Sequence, residues 1–128
     1  MKFFFDNNIS WRIAKAMACL EENENEVKHL KDIFKTDVID DVWLEHIGKN
    51  EMLLVSRDKN IRKHRAELNI LKKYNVGAFF MIGKKLNKWQ EAKQMIGQWE
   101  KMKELALNSR LPFVFMVPQK GRIDAFSL

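Results

Sequence analysis

The chain has 128 residues, a length that favours a single domain spanning residues 1–128. Its 46% hydrophobic and 31% charged residues argue against disorder, and it contains no apolar run long enough to cross a bilayer. A single cysteine excludes an internal disulfide and a cysteine-rich zinc site, and Asp6 interrupts the first apolar run too early for a signal peptide. We therefore expect a cytoplasmic protein, and its net charge of +6 favours polyanionic partners.

Three consecutive phenylalanines near the start of the chain, Phe3 to Phe5, predict a short strand that is buried on both faces. A strand of this kind belongs in the middle of a parallel sheet. It ends in Asp6, and two amides, Asn7 and Asn8, follow. Because ligands of open α/β sheets bind beyond the carboxyl ends of the strands, Asp6 is the first candidate site residue.

A helix is predicted directly after Asn8, where Asn8 or Ser10 would cap its start. Its inward face would carry the apolar residues that recur at helical spacing, namely Ile9, Trp11, Ile13, Ala14, Met17, Ala18 and Leu20. The polar run at 21–26 is expected to end this helix on the surface. Residues 27–34 alternate loosely and predict a short second strand.

A loop over residues 35–39 separates this second strand from a helix predicted at about 41–47. The residues of that helix expected to be buried are Val42, Trp43 and Ile47. Gly48 suits a helix stop. Residues 52–55 then form the next clear buried strand, which runs into the turn at 56–58.

The second half of the chain continues the alternation of helices and strands. A helix over residues 62–74 would bury Ala66, Ile70, Leu71 and Tyr74, and a buried strand follows at 76–82. The longest helix, over about 87–107, would turn inward Trp89, Ala92, Ile96, Trp99, Met102 and Ala106. A strand at 112–117 and a short edge strand at 122–126 close the fold. The pattern predicts an α/β protein, a three-layer sandwich with a mostly parallel central sheet.

Four carboxylates stand where this fold would gather its chemistry. Asp6 and Asp58 follow buried strands, and Asp40 and Asp41 stand at the expected start of a helix. Each of them alone also suits a helix cap, a first helical turn or an ordinary turn. Together they would repel one another, and a divalent cation relieves such repulsion. A site made only of oxygen ligands suits Mg²⁺ or Mn²⁺.

A basic run follows Asp58 and offers a second function at the same edge. Either it is a solvated helix face, or it holds phosphate groups beside the metal. His64 lies within this run. The residues that we assign to substrate binding are Arg57, Lys59, Arg62, Lys63 and Arg65.

Three segments, 3–9, 40–43 and 54–61, resemble the compact PIN-like ribonucleases, and most of all the short VapC-type toxins of toxin–antitoxin systems. In that family the first strand ends in Asp-Glu/Asn-Asn. An acidic pair with a tryptophan begins a helix, and a Thr/Ser-Arg-Asp turn ends the strand after it. The resemblance covers about residues 1–82, and the remainder matches only as a helix with closing strands.

The resemblance implies a role for each of the four carboxylates and for the two asparagines. The metal carboxylates would be Asp6, Asp40 and Asp58. Asp41 would be a fourth catalytic carboxylate or would orient a water. Asn7 and Asn8 would support the ligands. Larger PIN domains carry a further acidic residue late in the fold, for which Asn60 is the nearest candidate, so one and two metal ions both remain open.

The function that follows is metal-dependent hydrolysis of RNA phosphodiester bonds, in which a metal-activated water attacks phosphorus. The resemblance further implies a single-stranded tRNA or rRNA target, an antitoxin protein as partner and a homodimer. A splayed RNA strand requires an open site with a basic rim. Two alternatives are a non-catalytic PIN-like RNA-binding or scaffold protein and a receiver-like Mg²⁺-binding phosphoacceptor domain. The latter would need an acidic pair where Asn7 and Asn8 stand.

Overall fold

The structure is a computed structural model that describes residues 1–57 and 65–128. Within these ranges the strands are β1 (Lys2–Phe5), β2 (Glu26–His29), β3 (Leu53–Arg57), β4 (Gly77–Met81), β5 (Phe113–Val117) and β6 (Asp124–Phe126). The helices are α1 (Trp11–Glu21), α2 (Leu30–Ile33), α3 (Asp40–Lys49), α4 (Arg65–Lys73) and α5 (Lys88–Asn108). No helix in the described ranges is long and apolar enough to cross a membrane.

The strands form one sheet in the order β2-β1-β3-β4-β5-β6. Every neighbouring pair is parallel except β5 and β6, which are antiparallel. The predicted α/β fold with a mostly parallel central sheet is confirmed. The first strand lies inside the sheet, as expected, and Phe3, Phe4 and Phe5 are fully buried.

The sheet separates two hydrophobic cores, because alternate side chains of a strand point to opposite faces. On one face Phe3 and Phe5 pack with α1 and α5, and the ring of Trp99 lies 4.6 Å from that of Phe3. On the other face Phe4 packs with α3 and α4, and its ring stacks on Trp43 at 5.6 Å. These helices form the outer layers of the sandwich.

Local capping chemistry sets where several elements begin. Ser10 caps α1 and accepts a hydrogen bond from the backbone of Arg12 at 3.2 Å. Asn87 and Gln90 form a reciprocal capping box at the start of α5. A similar box shortens the second strand. The backbone N–H of His29 donates to Asp32, so that β2 ends at His29 and residues 30–33 form α2 instead of the predicted strand.

Two further expectations were wrong at the ends of helices. Gly48 lies inside α3 and does not end it. Its lack of a side chain serves packing, because a Cβ there would lie 2.7 Å from Cβ of Tyr74. Glu21, expected at the surface, is buried at the end of α1. It accepts a hydrogen bond from the indole N–H of Trp99 and forms an ion pair with Lys103 at 2.7 Å.

The inward faces of the helices also differ from the prediction in part. Residues expected inside but found exposed are Trp11, Leu20, Val42, Ala66, Trp89 and Ile96. The buried residues of α5 are Gln94, Met95, Gln98, Trp99 and Met102, and those of α4 are Leu68 and Leu71. An apolar residue at roughly helical spacing lies off the contact stripe when the helix is rotated by one position. Residues 62–64 of the predicted helix lie outside the described residues.

Candidate active site

Asp6 lies at the carboxyl end of β1, next to the gap between β1 and β3 at which the strand order of the sheet reverses. From β1 the chain passes to β2 on one side, and later returns to β3 on the other side. The helices α1 and α3 pack on opposite faces of the sheet. The gap between β1 and β3 is therefore the switch point at which ligands of doubly wound sheets bind.

The carboxylate of Asp6 is buried and held by two hydrogen bonds. Its Oδ1 accepts from the backbone N–H of Asn8 at 2.9 Å, and its Oδ2 accepts from the hydroxyl of Ser56 on β3 at 2.5 Å. Asp6 follows the same alternation as Phe4, so its side chain points to the face covered by α3 and α4. The two bonds fix its orientation across the switch point.

Burial raises the pKa of Asp6 from its ordinary value to about 6. The hydrogen bonds from Ser56 and Asn8 oppose this rise, and the nearby charges of Asp40 and Glu67 add to it. Burial and the like charges therefore raise the free energy of the ionised form of Asp6. A cation bound beside it would relieve both.

An open cavity of about 660 Å³ extends from Asp6 towards α3 and α4. Asp40, the first residue of α3, lines it and accepts a hydrogen bond at Oδ1 from the indole N–H of Trp43 at 3.1 Å. Ile39, and not Asp40, is the N-cap of α3, so this carboxylate is not used as a cap. Asp41 is exposed and does not line the cavity.

Glu67 on α4 also lines the cavity, although the sequence did not single it out. It lies one helical turn before the buried Leu71, which lines the same cavity, so the two share a helix face. The predicted inward stripe of this helix contained Leu71 together with Ala66 and Ile70, and it left Glu67 out. A carboxylate four residues before a buried leucine was the signal that could have revealed it.

The two asparagines after Asp6 line the cavity and tie neighbouring segments to it. The side-chain amide of Asn8 donates to the backbone carbonyl of Arg57 at 3.1 Å, and that of Asn7 donates to the carbonyl of Thr36 at 3.4 Å. These bonds hold the end of β3 and the loop before α3 against the start of α1. Their supporting role at the site stays a prediction.

Arg57 contributes its backbone to this edge, while its side chain contacts α5. Its Nη2 donates to Oε1 of Gln94 at 2.5 Å, and its Nε lies 3.4 Å from Oε1 of Glu91. Nε and Nη1 are buried, and neither has a hydrogen-bond partner among the residues that the structure describes. Burial lowers the pKa of Arg57, and Glu91 partly offsets this. Substrate binding by Arg57 stays a prediction.

Several predicted site residues lie outside the described residues, namely Asp58, Lys59, Asn60, Arg62 and Lys63. Arg65, the first residue of α4, is exposed. Within residues 1–57 and 65–128, no group of three or more His, Cys, Asp or Glu side chains is arranged to hold a metal ion. Three carboxylates, Asp6, Asp40 and Glu67, do line the cavity, and carboxylate oxygens are ligands that Mg²⁺ and Mn²⁺ prefer.

A family model described as "PIN like domain" matches residues 1–83, a segment that spans β1 to β4 with the helices between them. A search of curated proteins and a search of solved structures find no match for the chain. The matched segment contains Asp6, Asp40 and Glu67, and thus every carboxylate that lines the cavity among the described residues.

Proposed function

Because the chain belongs to the PIN-like domain family, whose members are usually nucleases, we propose that it is a metal-dependent endoribonuclease. We further propose that it is the toxin of a VapC-type toxin–antitoxin pair. The observation that carries the nuclease proposal is the buried carboxylate of Asp6, which shares one open cavity with Asp40 and Glu67 at the switch point of the sheet. The pKa of Asp6, raised to about 6, supports a cation as the missing counter-charge.

In this proposal Asp6 and Asp40 hold Mg²⁺ or Mn²⁺, with Asp58 as the third carboxylate that the resemblance implies. A bound cation supplies charge stabilisation to the phosphoryl oxygens and lowers the pKa of a water. Glu67 is a better candidate than Asn60 for the further acidic residue of larger PIN domains, since its carboxylate lines the cavity. Asp41, exposed one residue after Asp40, would orient a water at the rim.

Neighbouring side chains would keep the ligands in place. Ser56 and the backbone of Asn8 orient Asp6, and the indole of Trp43 orients Asp40. Partners of this kind, which fix the direction of a metal ligand, commonly change metal affinity or activity by about 10- to 100-fold when they are removed. Asn8 also ties the end of β3 to the site through the carbonyl of Arg57.

Single-stranded RNA is the substrate that we propose. The cavity is open, as entry of a splayed strand requires, and the net charge of +6 favours a polyanion. The basic run at 59–65 would hold phosphates beside the metal. An antitoxin that covers the cavity and a homodimer complete the proposal, and both come from the resemblance to VapC-type toxins. A cytoplasmic location is proposed from the single cysteine, which suits a reducing compartment.

The test is cleavage of total RNA by the purified protein in Mg²⁺, in Mn²⁺ and in EDTA. Cleavage should require a divalent metal, and Asp6→Asn, Asp40→Asn and Glu67→Gln should each reduce the rate by about a hundredfold or more. Asp124→Asn is the matched control, because that carboxylate is exposed on β6 and does not line the cavity. Its rate should equal that of the wild type.

Other outcomes would replace the proposal. RNA binding without cleavage in either metal would indicate a non-catalytic PIN-like RNA-binding or scaffold protein. Phosphorylation of Asp6 by a small phosphodonor would indicate a receiver-like domain, since other doubly wound folds share the order β2-β1-β3-β4-β5. The amides Asn7 and Asn8 in place of an acidic pair argue against that class. Equal cleavage by wild type and Asp6→Asn would remove Asp6 from the site.

A further inference from the structure

A second concavity, of about 480 Å³, lies along α5 on the opposite side of the sheet from Asp6. We call it the α5 groove. The residues that define it here are Gln90, Lys93, Gly97, Gln119, Lys120 and Gly121. Among the described residues that line it, none is acidic, and two are lysines. The groove is therefore positively charged and rich in amide groups.

Two buried glutamines build the floor of the α5 groove. The amide nitrogen of Gln98 donates to the backbone carbonyls of Pro118 and Gly121, each at 3.0 Å. The amide nitrogen of Gln94 donates to carbonyls at the ends of β4 and β5, at 2.7 and 3.0 Å. These bonds hold the turn after β5 against the helix, so the walls of the groove are fixed before any ligand arrives. A ligand loses less free energy in binding to a preformed site.

Gly97 keeps the α5 groove open. Glycine is a poor helix former compared with alanine, yet Gly97 lies in the interior of a helix of 21 residues. A Cβ at this position would have no atom within 4 Å. No packing contact within the described chain therefore requires glycine here. Its bare backbone leaves room for another molecule to approach the helix.

One pair of side chains joins the α5 groove to the cavity of Asp6. Gln94 lines the groove, Arg57 lines the cavity, and Nη2 of Arg57 donates to Oε1 of Gln94 at 2.5 Å. The groove and the cavity are thus neighbours along the carboxyl edge of the sheet. The guanidinium of Arg57 is partly buried at this junction, and its Nε lies 3.4 Å from Oε1 of Glu91.

An exposed tryptophan stands at the start of the same helix. Trp89 is 69% exposed in the first turn of α5, and Nζ of Lys88 lies 5.6 Å from its ring centroid. Lys84 and Lys85, in the loop before the helix, are exposed too. An aromatic face beside a basic groove is the arrangement by which proteins hold single-stranded nucleic acid, with bases stacked and phosphates paired.

We infer that the α5 groove is a second RNA-binding site, in which Lys93 and Lys120 hold phosphates of the strand that enters the cavity of Asp6. Trp89 stacks on a base of the same strand. The inference rests on the proposed ribonuclease function and adds to it a path for the substrate beyond the bond that is cut. An acidic protein segment would suit the lysines, but it would make no use of the exposed ring of Trp89.

The test measures binding of a fluorescent single-stranded RNA of about 12 nucleotides, a length within the usual range of single-strand binding sites. All variants carry Asp6→Asn, and EDTA is present, so that neither cleavage nor metal enters the result. The variant under test is Lys93→Gln/Lys120→Gln. The matched control is Lys72→Gln/Lys101→Gln, which removes two exposed lysines outside the groove.

Loss of two phosphate contacts should flatten the slope of log K against log salt by about 1.4, at about 0.7 for each contact to a single strand. At about 0.1 M salt this corresponds to a loss of roughly 25-fold in affinity relative to the control. Trp89→Ala should weaken binding with no change in the slope. Gly97→Leu should weaken RNA binding by filling the groove, and its Tm should not fall, since the space is open.

A slope and affinity equal to those of the control would overturn the inference. So would a variant that keeps its RNA affinity but loses binding of a polyglutamate peptide, because the groove would then receive an acidic protein. A wild-type protein that binds RNA through the groove but cuts none would contradict the proposed function alone. Binding and cleavage are measured separately, so the two failures are distinguishable.

Discussion

Replacing Asp6 by asparagine tests whether the buried charge of Asp6 lowers the stability of the protein when no metal is bound. The same substitution distinguishes a metal ligand from a structural carboxylate. The amide has nearly the same shape as the carboxylate and keeps both contacts. The amide oxygen accepts a hydrogen bond from the backbone N–H of Asn8, and the amide nitrogen donates one to the hydroxyl of Ser56. The hydroxyl of Ser56 thus changes from donor to acceptor. In EDTA we expect Asp6→Asn to be more stable than the wild type above pH 6.

The magnitude follows from the pKa of Asp6, which burial raises from 3.8 to about 6. The difference between these two pKa values corresponds to about 3 kcal/mol of differential stability. The folded state binds the proton of Asp6 more tightly than the unfolded state does. The stabilising effect of the protonated form is therefore complete below about pH 4 and is lost as the pH rises through 6. Asp6→Asn, which has no proton to lose at this position, should keep its free energy of unfolding over this pH range.

The assay is urea denaturation in EDTA between pH 4 and pH 8. The difference in free energy of unfolding between Asp6→Asn and the wild type should increase with pH by about 3 kcal/mol. Mg²⁺ should then stabilise the wild type more than the variant, by about 2.7 kcal/mol at a hundred times the dissociation constant. A variant that loses stability equally at pH 4 and pH 8 would refute the reasoning.

Glu21→Gln provides a control of opposite sign. Burial raises the pKa of Glu21, but hydrogen bonds from Lys103, Asn25 and Trp99 outweigh burial and leave it below its ordinary value of 4.5. The contribution of Glu21 to stability is therefore present above pH 4.5 and is lost as the pH falls through the lowered value. Glu21→Gln should be destabilised at neutral pH and should approach the wild type in acid, the reverse of the trend for Asp6→Asn.

Two further predictions concern residues around the site and in the core. Trp43→Phe removes the indole donor to Asp40, so Mg²⁺ affinity or cleavage should fall about 10- to 100-fold. The free energy of unfolding in urea should fall by about 1–3 kcal/mol, because the smaller ring also leaves space beside Phe4. Gly48→Ala brings a Cβ to 2.8 Å from the carbonyl oxygen of Tyr74, so it should lower the free energy of unfolding by about 1–3 kcal/mol. Gly97→Ala, with open space around its Cβ, should instead raise it by about 0.5–1 kcal/mol in the same urea melts, and a loss there would contradict the comparison.

The strands were the most predictable part of the fold. Phe3 to Phe5 are apolar on both faces, and a buried central strand is the arrangement that hides them all. The position of Asp6 at the carboxyl edge follows from the same pattern, because a carboxylate that ends a buried parallel strand can lie only there. Local sequence is sufficient where the reason for a structure is local.

The helix faces were less predictable, because partners distant in sequence set them. Glu21 belongs to a polar run, and its burial depends on partners far along the chain, the indole of Trp99, 78 residues later, and the ammonium group of Lys103. Trp89 shows the reverse case, since it is a large apolar residue that remains exposed in the first turn of α5. Glu67 was missed for a related reason. Its position at the cavity depends on the rotation of α4, which the spacing of Ala66 and Ile70 did not reveal.

At the end of β3, two consecutive residues face the two proposed sites, the metal site and the RNA groove, which lie on opposite faces of the sheet. Ser56 points to one face and holds Asp6, and the next residue, Arg57, points to the other and contacts α5. Carboxylates line the cavity on the first side, whereas lysines line the α5 groove on the second. Metal affinity and the salt dependence of RNA binding should therefore respond to different substitutions. If Lys93→Gln/Lys120→Gln changed Mg²⁺ affinity as strongly as Asp40→Asn does, the two faces would not act independently.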